Sequence, residues 1–414
     1  MSGKGRHGGE TGLLWPLYAA TFLIRFSFSI MIMVFPLYLS HLDRVLYGLI
    51  WAASPGAEFF TVIFIGAIID RYGRKIVLMS GLVLGTLMMF FIALTQDPLA
   101  VGIFNAFHGI SAGAILASSL ALAADYAPAN QRGQEMGTFD GANMAGWGAG
   151  FLLGGMVNQT LASELYLGFV IAGAIGALGC VYAQLAVSEP AKTEYTVRQL
   201  DARHIVSALG RKSVIYLTMP WLLIYAMIGA GLAFAGLEGA NLDIPAWMVG
   251  AGMAGLCVLL VTTQRFFGRL SDRYGRTPLM LTGASGILGL VLSGVAVAIV
   301  GVPTVEDIQA NMPVWGPFLG LLALFAFMAF AFAPAALASL GDVARKRQHG
   351  VTMSVYSMVI AAGMVVGVPT SGAVLNAFGL TGILGFFGAC AGLIFLFIVL
   401  RHFESRKDKL GEEE

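Results

Sequence analysis

Charge is what this sequence has least of. Asp, Glu, Lys and Arg together make up 11% of its 414 residues, less than half the roughly 25% of a soluble chain. A water-soluble protein of this size could not hide 57% hydrophobic residues without large exposed apolar patches. Disorder is excluded by the same balance, since disordered chains are poor in apolar and rich in charged residues. Neither sign of charge is in excess. The formal net charge is +1, which offers nothing to a polyanion, so no nucleic-acid partner is expected. Cysteine is scarce as well. Cys180, Cys257 and Cys390 fall in apolar runs, where a thiol behaves as a small hydrophobe. They make neither a disulfide framework nor a metal-ligand spacing, and no metal or cofactor is expected.

What the sequence has in abundance is long apolar runs. A helix that crosses the ~30 Å hydrocarbon core needs ~20 mostly apolar residues, whereas a barrel strand needs only ~10. Runs of helical length lie at about 13–40, 46–69, 76–95, 99–123, 136–158, 165–187, 213–236, 246–268, 278–301, 314–338, 351–375 and 379–400. Backbone groups in lipid must be satisfied internally, which leaves helices. The fold class expected is an all-α membrane protein with twelve transmembrane helices. Glycine, at 54 residues, is about twice its usual share of ~7% and suits closely packed membrane helices.

Basic residues set the orientation, because they concentrate on the cytoplasmic side. On the twelve-span reading, 21 of the 24 Lys and Arg lie on one side; the exceptions are Arg25, Arg44 and Arg265. Both termini are therefore expected in the cytoplasm of a multi-pass cell-membrane protein. The expected organisation is a cytoplasmic N-terminal tail at 1–12 and a six-helix bundle at 13–188. A cytoplasmic loop at 189–212, a second six-helix bundle at 213–400 and a cytoplasmic tail at 401–414 follow. No small-residue cleavage site ends a short apolar core near the N-terminus, so the first run is read as a retained helix.

The halves repeat one another. Gly66-x-x-x-Asp70-Arg71-Tyr72-Gly73-Arg74 recurs as Gly268-x-x-x-Asp272-Arg273-Tyr274-Gly275-Arg276. Asp125 and Met136 fall on Asp342 and Met353, and Gly146, Gly150 and Gly155 on Gly363, Gly367 and Gly372. A six-helix unit repeated in parallel is a hallmark of duplicated transporter folds. With these motifs the chain resembles the major facilitator superfamily over essentially its whole length. Within it, the chain looks most like the twelve-span drug and metabolite efflux group. The resemblance implies two pseudo-symmetric bundles rocking about a midplane site.

The repeated motif has its own physical reading. Gly66 and Gly73 permit close helix contact and a tight turn. Asp70 can meet the positive end of another helix, and Arg71 and Arg74 can pair with Asp125. The resemblance implies that these residues form a conformational latch, copied as Gly268, Asp272, Arg273, Gly275, Arg276 and Asp342. Gly146, Gly150 and Gly154, four apart on one face, and Gly363 and Gly367 in the second half are expected to form the seam between bundles. The efflux group's antiport motif ends Gly-Pro-x-x-Gly-Gly. Here Gly150-Phe151-Leu152-Leu153-Gly154-Gly155 lacks the proline.

Charges deep in the bilayer cost ~2.5–3.5 kcal/mol each on insertion scales and mark function. Arg25 in the first span and Glu58 in the second fall at similar depth and could pair. An Arg beside a carboxylate holds it ionised, and loosening the pair frees it to take a proton; a fixed structural pair is the alternative. In the fourth span the group's Arg-x-x-Gln-Gly is replaced by Asn105-Ala106-Phe107-His108-Gly109. His108 suits proton exchange, or is a hydrogen-bonded core histidine. Asp140 and Asn143 could line the cavity's inner mouth, unless Asp140 merely lies in the headgroup layer. Glu58, Asn105, His108 and Asp140 correspond to Leu260, Leu322, Phe325 and Ser357 in the second half. Polar and proton chemistry is thus expected in the first half. The second half, with Tyr225, Met227, Met253, Phe332 and Tyr356, looks able to accept a lipophilic surface.

The function expected is secondary transport of a small solute, as proton-coupled efflux of lipophilic or amphipathic compounds by a monomer in the lipid bilayer. The alternative is a proton symporter or uniporter for a small polar or anionic solute held by Arg25. No Gly-x-x-x-x-Gly-Lys-Ser/Thr loop is present to use ATP. An intramembrane enzyme would need converging nucleophile, base or metal ligands, which the sequence does not offer. A non-transporting receptor would be expected to lose the duplicated latch, which this chain keeps.

Overall fold

The computed structural model describes residues 14–127, 132–189, 212–301, 305–343 and 349–411. Among them every regular element is a helix. The first six are α1 (Leu14–Tyr38), α2 (Arg44–Tyr72), α3 (Arg74–Ala93), α4 (Pro98–Tyr126), α5 (Arg132–Thr160) and α6 (Tyr166–Ala186). Then come α7 (Lys212–Asn241), α8 (Ala246–Tyr274), α9 (Arg276–Val300), the short α10 (Val305–Ala310), α11 (Met312–Ala329), α12 (Phe332–Val343) and α13 (His349–Gly411).

Helix ends follow local chemistry. Asp43 caps α2 by accepting from the Val45 and Leu46 N–H groups at 2.8 and 3.3 Å. Asp97 caps α4 by accepting from Ala100 N at 2.8 Å, with Pro98 in the first turn, where its missing N–H costs nothing. Gly73 and Gly275 turn the chain at φ of 100° and 94°, a region that side chains with a Cβ avoid.

Ten stretches are long and apolar enough to cross a membrane. Two features separate that number from the twelve runs read in sequence. One stretch, Met358–Phe403, is 46 residues long and bends inside α13 at Gly379, where φ is 61°. The 29-residue α5 falls short in hydropathy, because it carries Gln134, Glu135, Asp140, Asn143 and Asn158. The tenth run, expected at 314–338, is broken into α11 and α12. Pro334 has no N–H for the Phe330 carbonyl, and its ring crowds that turn; Ala331 N instead bonds tightly back to Met328 O at 3.0 Å.

The described residues fall into two compact units, Met1–Gln199 with Ala230–Val258, and Leu200–Gly229 with Leu259–Glu414. In the first, α1 packs on α5 and α6, α2 on α4, and α3 on α4 and α6. Its aromatic core joins Phe35, Tyr38, Tyr47, Phe169 and Phe234. Residues 230–258 belong here because the C-terminal end of α7 and the first turns of α8 are anchored to α2 and α5. Tyr47 Oη donates to Ala233 O at 2.7 Å, and Arg44 Nη2 lies 2.9 Å from Glu238 Oε1. Gly155 lies against Gly250, and Ala246 N donates to Gln159 Oε1 at 3.0 Å.

In the second unit α9 packs on α11, α12 and α13, around a core that includes Trp221, Phe267, Met280 and Phe332. Phe332, expected at a lipophilic surface, is thus core, and Tyr225 and Met227 pack against it. The Tyr356 side chain lies outside the described residues. Phe60, Phe64, Leu185 and Ile299 point outward, as lipid-facing residues do.

The glycine seam is corrected by the structure. A Cβ on Gly146 would meet Phe22 and Arg25, one on Gly150 Phe26 and Ser29, and one on Gly154 Ile30 and Met33. All six lie on α1, so this face joins α5 to α1 within the first unit. Gly363 and Gly367 likewise lie on Leu222, Tyr225 and Ala226 of α7 within the second. The four-residue spacing identifies a close helix contact but does not say which helix makes it.

Candidate functional site

Polar side chains converge in the first unit where α1, α2, α4 and α5 carry Arg25, Glu58, His108 and Asp140. Arg25 Nε donates to Asn143 Oδ1 at 2.6 Å. Its guanidinium carbon lies 5.7 Å from the centroid of the Trp147 ring, within the range of a cation–π contact. Asp140, Asn143 and Trp147 are three and four residues apart and share a face of α5. Gly146 lets that helix approach closely, since a Cβ there would be 2.8 Å from Arg25 Cβ.

Glu58 and Asp140 both lie within electrostatic reach of Arg25. Among the described residues no direct ion pair joins Arg25 to Glu58. The expected pairing is therefore a charge coupling across a gap, with the hydrogen bond going to a neutral amide instead. The stem of Glu58 runs over Gly113 of α4, whose Cβ would lie 3.5 Å from Glu58 Cγ.

His108 is 5% exposed, and neither ring nitrogen has a hydrogen-bond partner among the described residues. Its ring centroid is 4.4 Å from that of Phe28, and Arg25 acts on it electrostatically. The hydrogen-bonded core histidine of the sequence reading is not what is found. Asn105 is buried, and its Nδ2 donates to the Ile50 and Trp51 carbonyls of α2 at 2.8 and 3.1 Å.

The repeated motif builds a second cluster at the α2–α3 turn. Arg74, 6% exposed, places Nε 3.0 Å from Asp125 Oδ2 at the end of α4, and its Nη2 lies 3.8 Å from Asp70 Oδ1. Arg71 does not join Asp125; its guanidinium stacks on the Tyr72 ring at 5.3 Å. Glu189 completes the cluster, accepting from the backbone N–H groups of Arg74 and Lys75 at 2.8 and 2.6 Å. That is where an anion gains from the helix dipole. In the second copy Arg276 pairs with Asp272 and donates to Ser271 Oγ at 3.1 Å, and Arg273 stacks on Tyr274. The Asp342 side chain lies outside the described residues. Among the described residues nothing lies within 4 Å of a Cβ placed on Gly66 or Gly268, so none of them makes the close contact expected there.

The family model of the Major Facilitator Superfamily matches residues 17–300 and 239–414. The chain belongs to this superfamily. It is 27% identical over 183 residues to the quinolone resistance protein NorA of Staphylococcus aureus, a match covering 44% of this chain and 46% of NorA. It is 25% identical over 248 residues to the uncharacterized MFS-type transporter MJ1560 of Methanocaldococcus jannaschii, covering 56% of this chain and 61% of that one. The chain thus matches about half the length of NorA. Among solved structures, a bacterial homologue of the human lysosomal transporter Spinster superposes with a TM-score of 0.73 at 14% identity, covering 98% of both chains.

Membership in this superfamily of transporters, together with ten stretches long and apolar enough to cross a membrane, makes this a multi-pass membrane protein. Several contacts of this superfamily member were not foreseen in sequence. Trp147 could have been found, since it lies four residues beyond Asn143 on the face that meets Arg25. Glu189 had no spacing to mark it, because its partners are backbone N–H groups 115 and 114 residues away. Tyr18, which donates to Glu135 Oε2 at 2.6 Å, and the Arg44–Glu238 pair join distant segments in the same way.

Proposed function

We propose that this superfamily member exports lipophilic or amphipathic compounds in exchange for protons, by alternating access across the cell membrane with both termini cytoplasmic. The observation that carries the proposal is the Arg25–Asn143 hydrogen bond, with Glu58 and Asp140 in electrostatic reach of the same guanidinium. Charge at this depth is expensive in lipid and is kept where it is used. With two carboxylates to one guanidinium, the cluster has a carboxylate to spare for a proton or a cationic group. Glu58 is the leading proton carrier. His108, Asn105, Asp140 and Asn143 complete the polar wall. The printed name of NorA, a quinolone resistance protein, agrees with export.

Arg74, Asp70, Asp125 and Glu189 form a latch in this account, with Arg71 and Gly73 shaping the turn and Gly66 reserved for another state. Gly268, Asp272, Arg273, Gly275, Arg276 and Asp342 act as its copy. A second reading has one observation in its favour: the hydrogen bond of Arg25 goes to an amide and not to a carboxylate, which suits capture of a small anion. Reconstituted liposomes holding a trapped pH dye separate the two. Lipophilic cations, amphipathic drugs and small organic anions are offered in turn. Proton movement opposite to a lipophilic or cationic solute supports exchange. Movement with an organic anion, or none, supports the second reading and makes Arg25 the solute contact.

A further inference from the structure

We infer that Asn105 is a positioning residue for Glu58, acting through the break that Pro55 makes in the hydrogen-bond ladder of α2. The inference rests on the reading of Glu58 as the proton carrier. Pro55 lies inside α2. It has no N–H for the Trp51 carbonyl four residues earlier, and its ring crowds that turn. In a bilayer no water is at hand to take the orphaned carbonyl, so a neighbouring side chain must satisfy it. Asn105 does this. It is 2% exposed, and its amide donates to Trp51 O at 3.1 Å and to Ile50 O at 2.8 Å. Both hydrogens of the amide are thus committed to backbone carbonyls, while Oδ1 has no hydrogen-bond partner among the described residues.

The next two turns of α4 continue the contact. Gly109 lies on Ser54, and a Cβ there would be 2.7 Å from Ser54 Cα. Gly113 lies on Glu58, with Cγ 3.5 Å from its would-be Cβ. Asn105, Gly109 and Gly113 are four residues apart and form one face that follows α2 from the freed Trp51 carbonyl, past the proline, to the carboxylate. The Asn105 amide ties down the broken turn, and the glycines let α2 rest on the α4 backbone. Glu58 is three residues beyond Pro55, so the way this turn is held decides where the carboxylate lies. The groups it must be held against are Arg25 on α1, which acts on it directly, with His108 on α4 and Asp140 on α5 acting on Arg25.

Two readouts test this. In the first, Glu58→Cys is introduced and its maleimide labelling rate measured in membranes, which needs no transport. Asn105→Ala and Pro55→Ala should each change that rate roughly threefold or more, and the double variant should equal one of the singles, because both act through the same broken turn. Independent, additive effects, or no change from either substitution, overturn the proposal. In the second, with Glu58 intact, Asn105→Ala should shift the pH profile of transport, and in the Pro55→Ala background it should shift it no further. If Asn105→Ala alone fails to fold, Pro55→Ala must rescue it, since residue 55 then offers an N–H to Trp51; failure in both backgrounds overturns the proposal. Should labelling follow these expectations while Glu58→Gln leaves the pH profile unchanged, the positioning role stands and the reading of Glu58 as proton carrier falls.

Discussion

Arg74 shows at the scale of one residue how a sequence motif becomes a contact. It is buried, and its charge is met by Asp125 in front and by Asp70 one turn back in α2. Removing one partner of a fully buried pair costs ~3–5 kcal/mol. Asp125 keeps 27% of its side-chain surface, so Arg74→Ala is expected to cost about 2 kcal/mol. Glu189→Gln keeps one acceptor for the α3 N–H groups but turns the other into a donor, losing one hydrogen bond and the charge, for about 1–1.5 kcal/mol. Thermal unfolding in detergent measures both. A larger loss from Glu189→Gln than from Arg74→Ala would mean that Glu189, and not Arg74, is the main tie at this corner. Gly66 makes a different kind of prediction. Since nothing meets its would-be Cβ, Gly66→Ala should stabilise α2 by up to ~1 kcal/mol. A stable Gly66→Ala protein that transports poorly would show that Gly66 is closely approached in another state of the cycle.

Helices, the next scale up, are where sequence reading was strong and also where it stopped. Their existence was legible because apolar length and the cost of bare backbone in lipid leave no other structure. Their turns were legible too, since Gly73 and Gly275 stand where the repeated motif needs positive φ. The breaks were not. Pro334 ends a helical turn within a run apolar enough to look continuous, and Gly379 bends α13 without any polar linker. Partners were legible least. Gly146, Gly150 and Gly154 announced a contact whose identity, α1, depends on how α5 is rotated, and no short-range pattern encodes that. The functional cluster divides along the same line. Arg25 and Glu58 were found because charge in an apolar run is conspicuous, whereas the hydrogen bond from Arg25 to the Asn143 amide, and that from Asn105 to the Trp51 carbonyl, exist only in three dimensions. The α1–α5 contact is checked by Gly150→Val, whose side chain would overlap Ser29 and the Phe26 carbonyl of α1. Folded yield should fall sharply, while Gly252→Ala, with nothing within 4 Å of its would-be Cβ, should leave it unchanged.

For the whole molecule, the question is what must loosen for a solute to pass. Arg44 clasps Glu238 through Nε at 3.1 Å and Nη2 at 2.9 Å, and the buried Tyr47 donates to Ala233 O nearby. These contacts tie the C-terminal end of α7 to the start of α2. If they part in each cycle, an Arg44→Cys, Glu238→Cys pair should stop transport when oxidised and regain it on reduction; undiminished transport in the cross-linked protein would make the clasp a fixed strut. The central claim is the exchange of solute for protons through Glu58. Its most direct measurement compares wild type and Glu58→Gln in the same liposomes, recording proton and solute movement together. The account predicts opposed proton and solute fluxes in wild type, and in Glu58→Gln solute movement that no longer drives protons or follows pH. Undiminished proton movement with an unchanged pH profile in Glu58→Gln would contradict it.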